Sequence, residues 1–431
     1  MPKVDKFKKK VNKKDYTRSS INQPQDDYTL DASRFVNKVE KEREKGNVDY
    51  ILVALIIALL GFGIVMVLSA SAPISTTETG NSYSYAIKQI QFIAGGLVLM
   101  TIVSVIDYKF WGKVYKLAYV LSIIALLSVM VPGLGMAESG AKRWIALGGI
   151  TFQPSELAKV GLIIFYAGYF ADHKDKIKSI KWGILIPIAL FIIPAVILLK
   201  IQNHLSALII IGATLYIMML MAGSNAKIIL TGTAISVAGA ASYVTYLMKS
   251  GAVWSASFRI RRIISFLNPE LDPNGTGWQM RQSLYAIGSG GILGVGLGNS
   301  KQKYKYMSEP HNDFIFAILA EELGFVGCLA LIVLYVLFIW RGILASWRCE
   351  DDFGANLAIG ITSLVGVQAI MNIAVATSSM PVTGVSLPFI SYGGTSVLIL
   401  LFLMGILLNI TKYGKKENKE NPNEYRKGQE I

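Results

Sequence analysis

Glu309-Pro310-His311-Asn312-Asp313-Phe314-Ile315-Phe316-Ala317, running on to Glu321-Glu322-Leu323-Gly324, decides how this chain is read. A long polar stretch ends there and an apolar one begins, with Asp313 at the junction and two more carboxylates inside the apolar run. Ionisable groups at or inside a bilayer cost about 2.5–3.5 kcal/mol each on insertion scales, so their default reading is functional.

Outward from that junction, the 431 residues are 53% hydrophobic and 16% charged, where a soluble domain has about 25% charged. The apolar residues come in blocks of about 20, enough to cross roughly 30 Å of hydrocarbon. The alternating segments of a membrane β-barrel are absent. The pattern predicts an all-α polytopic membrane protein with ten transmembrane helices, at about 50–72, 85–106, 115–132, 155–171, 182–199, 203–222, 226–247, 313–341, 355–377 and 391–411. Lysines 109, 113, 174, 176, 178 and 181 crowd the loops of one side, while 73–84 and 378–390 carry no Lys or Arg. By the positive-inside rule both termini are then cytoplasmic, and the largest loop, 248–312 between helices seven and eight, is extracellular.

Residues 1–49 hold 13 Lys/Arg and 9 Asp/Glu without hydrophobic period, which predicts a disordered basic cytoplasmic tail. Residues 412–431 form a second, lysine-rich tail. The first apolar block begins too late and runs too long for a signal peptide. Two cysteines and three scattered histidines lack metal-ligand spacing and predict no metal site. No nucleic-acid partner is called for.

Four polar patches, 138–159, 200–206, 278–313 and 380–396, fall on the predicted outer side. Phe258-Arg259-Ile260-Arg261-Arg262-Ile263-Ile264 mixes apolar and basic residues at helical spacing and suits the headgroup layer. The run Gly288 to Gly298 departs from G-x-G-x-x-G at Leu293, so tight packing of a re-entrant segment reads better than nucleotide binding. Asp313 is open to two readings, an N-cap for its helix or a general base for a sugar hydroxyl. Glu321, about 12 Å further along by the rise of about 1.5 Å per residue, is too distant to pair with it. Pro154 suits a first helical turn, and Glu156 and Lys159 stand three apart, as a neutralising pair would. His204 reads as a hydrogen-bonding residue, Lys88 and Gln89 as outer-end snorkellers. Met380 to Ser396, with two prolines and three glycines, reads as broken backbone lining a wet cavity.

Lys142-Arg143-Trp144, Gln153-Pro154-Ser155-Glu156, the Gly288–Gly298 run, Pro310 to Gly324 and Pro381 to Ser396 together make residues 50–411 resemble the SEDS family of bacterial cell-wall polymerases, the group containing FtsW, RodA and SpoVE. Gln202-Asn203-His204-Leu205-Ser206-Ala207 resembles the form in the division and sporulation branch. The resemblance implies a peptidoglycan glycosyltransferase that polymerises lipid II and releases undecaprenyl diphosphate. Asp313 matches the family's essential aspartate, as base in an inverting attack. It implies substrate contacts from Lys142, Arg143, Trp144, Gln153, Ser155, Glu156, Lys159, Arg259, Arg261, Arg262, Arg281, Gln282, Gly290, His311 and Ser391, with the arginines facing the departing diphosphate. It also implies a class B penicillin-binding protein as partner and association with division or sporulation machinery. The location is the bacterial cytoplasmic membrane with the site facing outside. A divalent cation, Mg2+ or Mn2+, is the one cofactor this chemistry would admit, and no carboxylate cluster in the sequence calls for it. The rival readings are a lipid II flippase, which needs essential charge near the midplane, and a scaffold that only docks the penicillin-binding protein.

Overall fold

The computed structural model describes residues 46–413 apart from 132, 134, 139–140, 148–149, 250–257, 269, 271, 273–274, 305–306 and 308. The expected tails therefore lie almost wholly outside the described residues. Helices occupy all ten expected segments. They are α1 Tyr50–Thr79, α2 Ser84–Val105, α3 Tyr115–Leu127, α4 Pro154–Asp172, α5 Lys181–Ile201, α6 Leu205–Met221 and α7 Ala226–Lys249, then, after the large loop, Ile315–Arg348, Asp352–Ala376 and Thr395–Thr411. The large loop itself folds into α8 Phe258–Leu267 and α9 Thr276–Gly290, so the last three helices are α10, α11 and α12. Five of these, α1, α2, α5, α10 and α11, are long and apolar enough to cross a membrane, and α3, α6 and α12 are shorter apolar helices.

α11 is the centre of the bundle. Of its most apolar stretch 78% is buried, against 22% for α10, and it packs on α4, α6 and α10. The apolar faces left exposed, such as Ile90, Val98 and Ile102 on α2 and Ile188 and Ile192 on α5, suit contact with lipid tails. Helix ends follow local chemistry. Asp49 caps α1 by accepting from the amides of Ile51 and Leu52 at 3.1 Å, and Gly80 ends it at φ +71°. Asp351 caps α11 in the same way, and Pro154 opens α4. At the other end of the bundle from Gly80, the Gly46 amide donates to the Lys412 carbonyl at 2.9 Å, tying the entry of α1 to the exit of α12.

Two features correct the sequence reading. The first is a three-stranded antiparallel sheet, β1 Gly135–Glu138, β2 Ala141–Leu147 and β3 Ile150–Phe152, in what read as an outer loop of an all-α fold. Period-two alternation does run through β2, but over a stretch too short to stand out between spans. Strand geometry puts Arg143 and Ile145 on one face and Lys142 and Trp144 on the other. Ile145 is buried and Lys142 exposed.

The second concerns α10, which read as continuous. It breaks at Gly324, whose φ of +64° and ψ of −164° are not helical. The glycine run is spliced into the break. Val295 and Gly296 donate their amides to the Glu321 and Glu322 carbonyls at 3.0 Å, and Phe325 and Val326 donate to Gly291 and Ile292 at 2.9 and 3.1 Å. Backbone groups freed by a break inside an apolar bundle need partners within the protein, and here another segment's backbone supplies them. The approach is too close for a side chain: a Cβ at Gly294 would lie 2.1 Å from the Glu322 carbonyl oxygen, and one at Gly290 1.9 Å from that of Ala320. Gly290 is therefore a packing residue.

Gly294, at φ +79°, combines positive φ with this clash, so Gly294→Val is expected to lower stability by more than about 2 kcal/mol. The same change at Gly232, which has open space around it on α7, is expected to cost only about 0.5 kcal/mol or less. Thermal unfolding in detergent compares the two, and equal midpoints would refute the splice.

Candidate functional site

Asp313 lies in the turn before α10, and the cap position of that helix is Phe314, with no side-chain capping bond. The carboxylate is thus not a cap, which removes the plainer of the two sequence readings. Its position is set through the backbone. Asn372, a fully buried amide on α11, donates to the Asp313 carbonyl at 2.9 Å and to the Val385 carbonyl at 2.7 Å. One side chain thereby fixes the turn before α10 against the segment between α11 and α12.

That segment has no helix between Ser378 and Gly394, and Leu387, Phe389 and Ile390 within it are buried. Irregular backbone at this depth again needs protein partners. Ser391 accepts from the Leu387 amide at 2.8 Å and donates to the Asn312 carbonyl at 2.7 Å. Gln89, fully buried on α2, donates to the Ser391 carbonyl and accepts from the Gly393 amide, both at 3.3 Å. It builds the site and does not snorkel. Ser206 donates to the Thr383 carbonyl. Gly384, at φ +68°, lets the backbone pass close to the Asp313 carboxylate, since a Cβ there would stand 3.2 Å from Asp313 Oδ2.

The cations arrive from two directions. Arg262 on α8 donates to the Val382 carbonyl at 3.3 Å and lies within electrostatic reach of Arg143 and Asp313. Arg143, on the inward face of β2, donates to the carbonyls of Asn203 at 2.8 Å and Gln202 at 3.3 Å. Asn203 holds φ +49°, a turn conformation that Asn tolerates. His204 beside it is buried, with Nδ1 3.3 Å from Ser155 Oγ and 3.5 Å from Gln153 Nε2. Burial, then Arg143 and Lys159, hold its imidazole down to about 3, so it is neutral. Lys159 pairs with Glu156 at 2.7 Å. These two, with Gln368, Ser386, Ser391 and Ser396, line a cavity of about 30 Å3, room for about one water.

On another flank of Asp313, the His311 ring packs edge-on against Tyr85 at 5.0 Å and Tyr392 at 5.8 Å. Burial pushes this imidazole down to about 4 against the opposing pull of Glu78, so it too is neutral. Burial and the Glu309 carboxylate push Asp313 up to about 6, against the opposing pull of Arg262. A carboxylate at that value is ionised at neutral pH yet basic enough to accept a proton, and the nearby guanidiniums suit an anionic leaving group.

The fold thus gathers Asp313, Arg143, Arg262, Gln153, Ser155, Glu156, Lys159, His311 and Ser391. Lys142 and Trp144 sit on the opposite face of β2 from Arg143. Arg281 is half-buried and Gln282 buried on α9, where Ser283 donates to the Ala376 carbonyl. The Arg259 and Arg261 side chains lie outside the described residues. Among the described residues no three of His, Cys, Asp or Glu converge, so the donor set does not fit a dedicated metal centre. Sequence reasoning missed Asn372 and misread Gln89. The available signal was an amide inside an otherwise apolar span, since a buried amide needs a partner.

Compared with known proteins, residues 50–416 match the FtsW/RodA/SpoVE family, described as "Cell cycle protein". The chain is 38% identical over 373 residues to "Stage V sporulation protein E" of Bacillus subtilis (strain 168), covering 86% of this chain and 99% of that one. It is 39% identical over 363 residues to the "Probable peptidoglycan glycosyltransferase FtsW" of Trichlorobacter lovleyi, covering 84% and 93%. Among solved structures, a chain of "Structural coordination of polymerization and crosslinking by a peptidoglycan synthase complex" superposes with a TM-score of 0.69 at 25% identity, covering 86% and 99%. Thermus thermophilus RodA shares the fold, with a TM-score of 0.61 at 24% identity, covering 86% and 98%.

The raised Asp313 carboxyl has a signed consequence for stability. Below pH 4 it is protonated folded or unfolded, and the fold bears no penalty. Above about 6 it is ionised in both states, and the native state bears a cost of at most about 3 kcal/mol, reduced by partial solvent access. Asp313→Asn, neutral throughout, is therefore expected to match wild type in thermal midpoint near pH 4 and exceed it at pH 8. A constant difference across that range would refute the assignment.

Proposed function

Because the chain belongs to the FtsW/RodA/SpoVE family, we propose that it is a peptidoglycan glycosyltransferase that polymerises lipid II and releases undecaprenyl diphosphate. Its ten helices cross the bacterial cytoplasmic membrane with both termini inside and the site at the outer face. The observation that carries this reading is Asp313: a carboxylate not used as a cap, seated against Gly384, beside Arg262 and pushed up to about 6.

In the proposed step Asp313 accepts the proton of the acceptor's sugar 4-hydroxyl as that oxygen attacks the donor's anomeric carbon. The new C–O bond forms on the face opposite the leaving group, the anomeric C–O bond to the diphosphate breaks, and the electron pair departs with undecaprenyl diphosphate. Configuration inverts. Arg143 and Arg262 stabilise the charge that grows on the diphosphate, and Arg259, Arg261 and Arg281 are assigned to the same anion. Glu156 and Lys159 neutralise each other and shape the cavity floor. No step is routed through a metal.

A class B penicillin-binding protein as partner, and work in division or sporulation, are supported by the names of the relatives and by the solved synthase complex. A flippase would require its essential charges near the midplane, whereas Asp313 and both arginines precede or lie outside the long apolar helices.

Purified wild type and Asp313→Asn, each with a class B penicillin-binding protein that lacks glycosyltransferase activity, test the proposal on lipid II. Wild type is expected to make glycan, and the variant to lose about 100-fold or more in rate. Equal rates would remove Asp313 from the chemistry, and no glycan from either would favour the flippase or scaffold.

If Asp313 works as base in its ionised form, wild-type kcat/KM is expected to climb as pH rises through about 6 and then level. A profile flat from pH 5 to 8 would contradict this.

A further inference from the structure

Residues 173–181 join α4 to α5 at the end of the bundle away from Asp313, since α4 leaves the site at Pro154 and ends at Asp172. The lysines of this loop are not used alike. Lys174 pairs with Asp352 at 2.7 Å. Lys176 and Lys181, both exposed, meet no carboxylate among the described residues. Their ammoniums stand 5.3 and 5.7 Å from the centre of one ring, that of Trp182. His173 stacks on the same indole at 4.7 Å and in turn on Tyr169 at 4.5 Å. Two cations beside one indole, without a counter-ion, make a seat for a shared anion. We infer that Lys176 and Lys181 bind the phosphodiester of an anionic phospholipid whose acyl chain lies along the exposed face of α5.

The path of the chain is visible on that helix. Leu185, Ile188, Ile192 and Val196 recur at helical spacing, are 45–59% exposed, and begin one turn below Lys181. From Leu185 to Val196 is about 16 Å at the helical rise of about 1.5 Å per residue. One leaflet's share of the roughly 30 Å hydrocarbon core is about 15 Å. Tryptophan at the first turn of a membrane helix marks the depth of the headgroups. Charge at the end, an indole at the boundary and an apolar stripe of leaflet length together complement a phospholipid.

The backbone that carries the cations is fixed from several sides. The first turn of α5, Lys181–Leu185, is wound as a π-helix, a wide turn that recurs at functional sites. Pro187 has no amide hydrogen to give, so carbonyls of that turn lose their partners along the helix. Tyr169 on α4 donates to the Trp182 carbonyl at 2.8 Å, and Ser224, after α6, to the Gly183 carbonyl at 3.0 Å. The Gly183 amide donates to the Ser179 carbonyl at 2.9 Å. The loop packs so closely there that a Cβ at Gly183 would lie 1.9 Å from the Ile177 carbonyl oxygen. Lys181 and Trp182 are thus presented by a rigid turn.

Native mass spectrometry of the full-length protein, titrated with phosphatidylglycerol or with phosphatidylcholine, tests the site. Lys176→Gln/Lys181→Gln is expected to weaken phosphatidylglycerol binding about tenfold or more. Lys113→Gln/Lys116→Gln removes the same charge from exposed lysines at the same end of the bundle, where Tyr115 meets Asp172, and is expected to bind as wild type does. Lys176→Arg/Lys181→Arg keeps the charge and should keep the lipid. Zwitterionic phosphatidylcholine should not distinguish these proteins. In nanodiscs, a benzophenone-bearing amino acid at position 188 is expected to cross-link phosphatidylglycerol above its share of the bilayer. That enrichment should vanish when Lys176→Gln/Lys181→Gln is added. Equal losses in the two glutamine pairs would mean diffuse surface charge and overturn the inference. So would displacement of the lipid by its soluble head alone, glycerophosphoglycerol, or cross-links only to protein.

Discussion

A helix broken inside an apolar bundle must find new partners for the amides and carbonyls it releases, and in this protein those at Gly324 pair with the backbone of the Gly290–Gly298 run. Much of the half of the bundle that holds Asp313 depends on that splice. It sets the direction of the first turns of α10, and so where Asp313 stands. It brings Glu321 and Glu322 face to face with residues 300–303, where Ser300 and the Lys301 amide satisfy one carboxylate and Lys303 the other. Removing one partner of a buried ion pair is costlier than the pair is stabilising. The splice and the ion pair therefore hold the same segment twice, once by backbone and once by charge.

The site is built by a different device. Its rigidity comes from neutral amides and hydroxyls, Asn372, Gln89, Ser391 and Ser206, each bound to backbone carbonyls or amides of segments that lie outside the helices. Charge is held by few groups. Two buried imidazoles are kept neutral and Lys159 is cancelled by Glu156, which leaves the arginines, Asp313 and the Glu309 carboxylate as the charges around the turn before α10. Fixing donors before the substrate arrives lowers the reorganisation that developing charge would otherwise demand.

Much of this was legible in the sequence, for identifiable reasons. Helix positions followed from blocks of apolar residues. Pro154, the Glu156–Lys159 pair, the hydrogen-bonding role of His204 and the packing role of the glycine run followed from local chemistry. What could not be read were pairings between distant segments. Nothing near Gly324 signals that a loop some thirty residues earlier would enter the helix there. Gln89 looked like an outer-end residue because its partners lie on the far side of the chain, at Ser391 and Gly393. The Lys142-Arg143-Trp144 motif read as one binding element, but strand alternation divides it between two faces.

The hydrogen bond from the Gly46 amide to the Lys412 carbonyl, reinforced by Thr411 accepting from the Asp49 amide, makes the helical domain a closed circuit. Its first and last helices meet, so the order in which the chain visits the bundle is separable from the bundle's shape. A gene opened at a loop on the opposite end of the bundle and joined across this contact would encode the same architecture. Mechanically, a pull applied before residue 46 and one applied after residue 413 enter the domain at a single point. That junction is bound through Asp49 to Arg341 on α10, the helix whose opposite end begins just after Asp313.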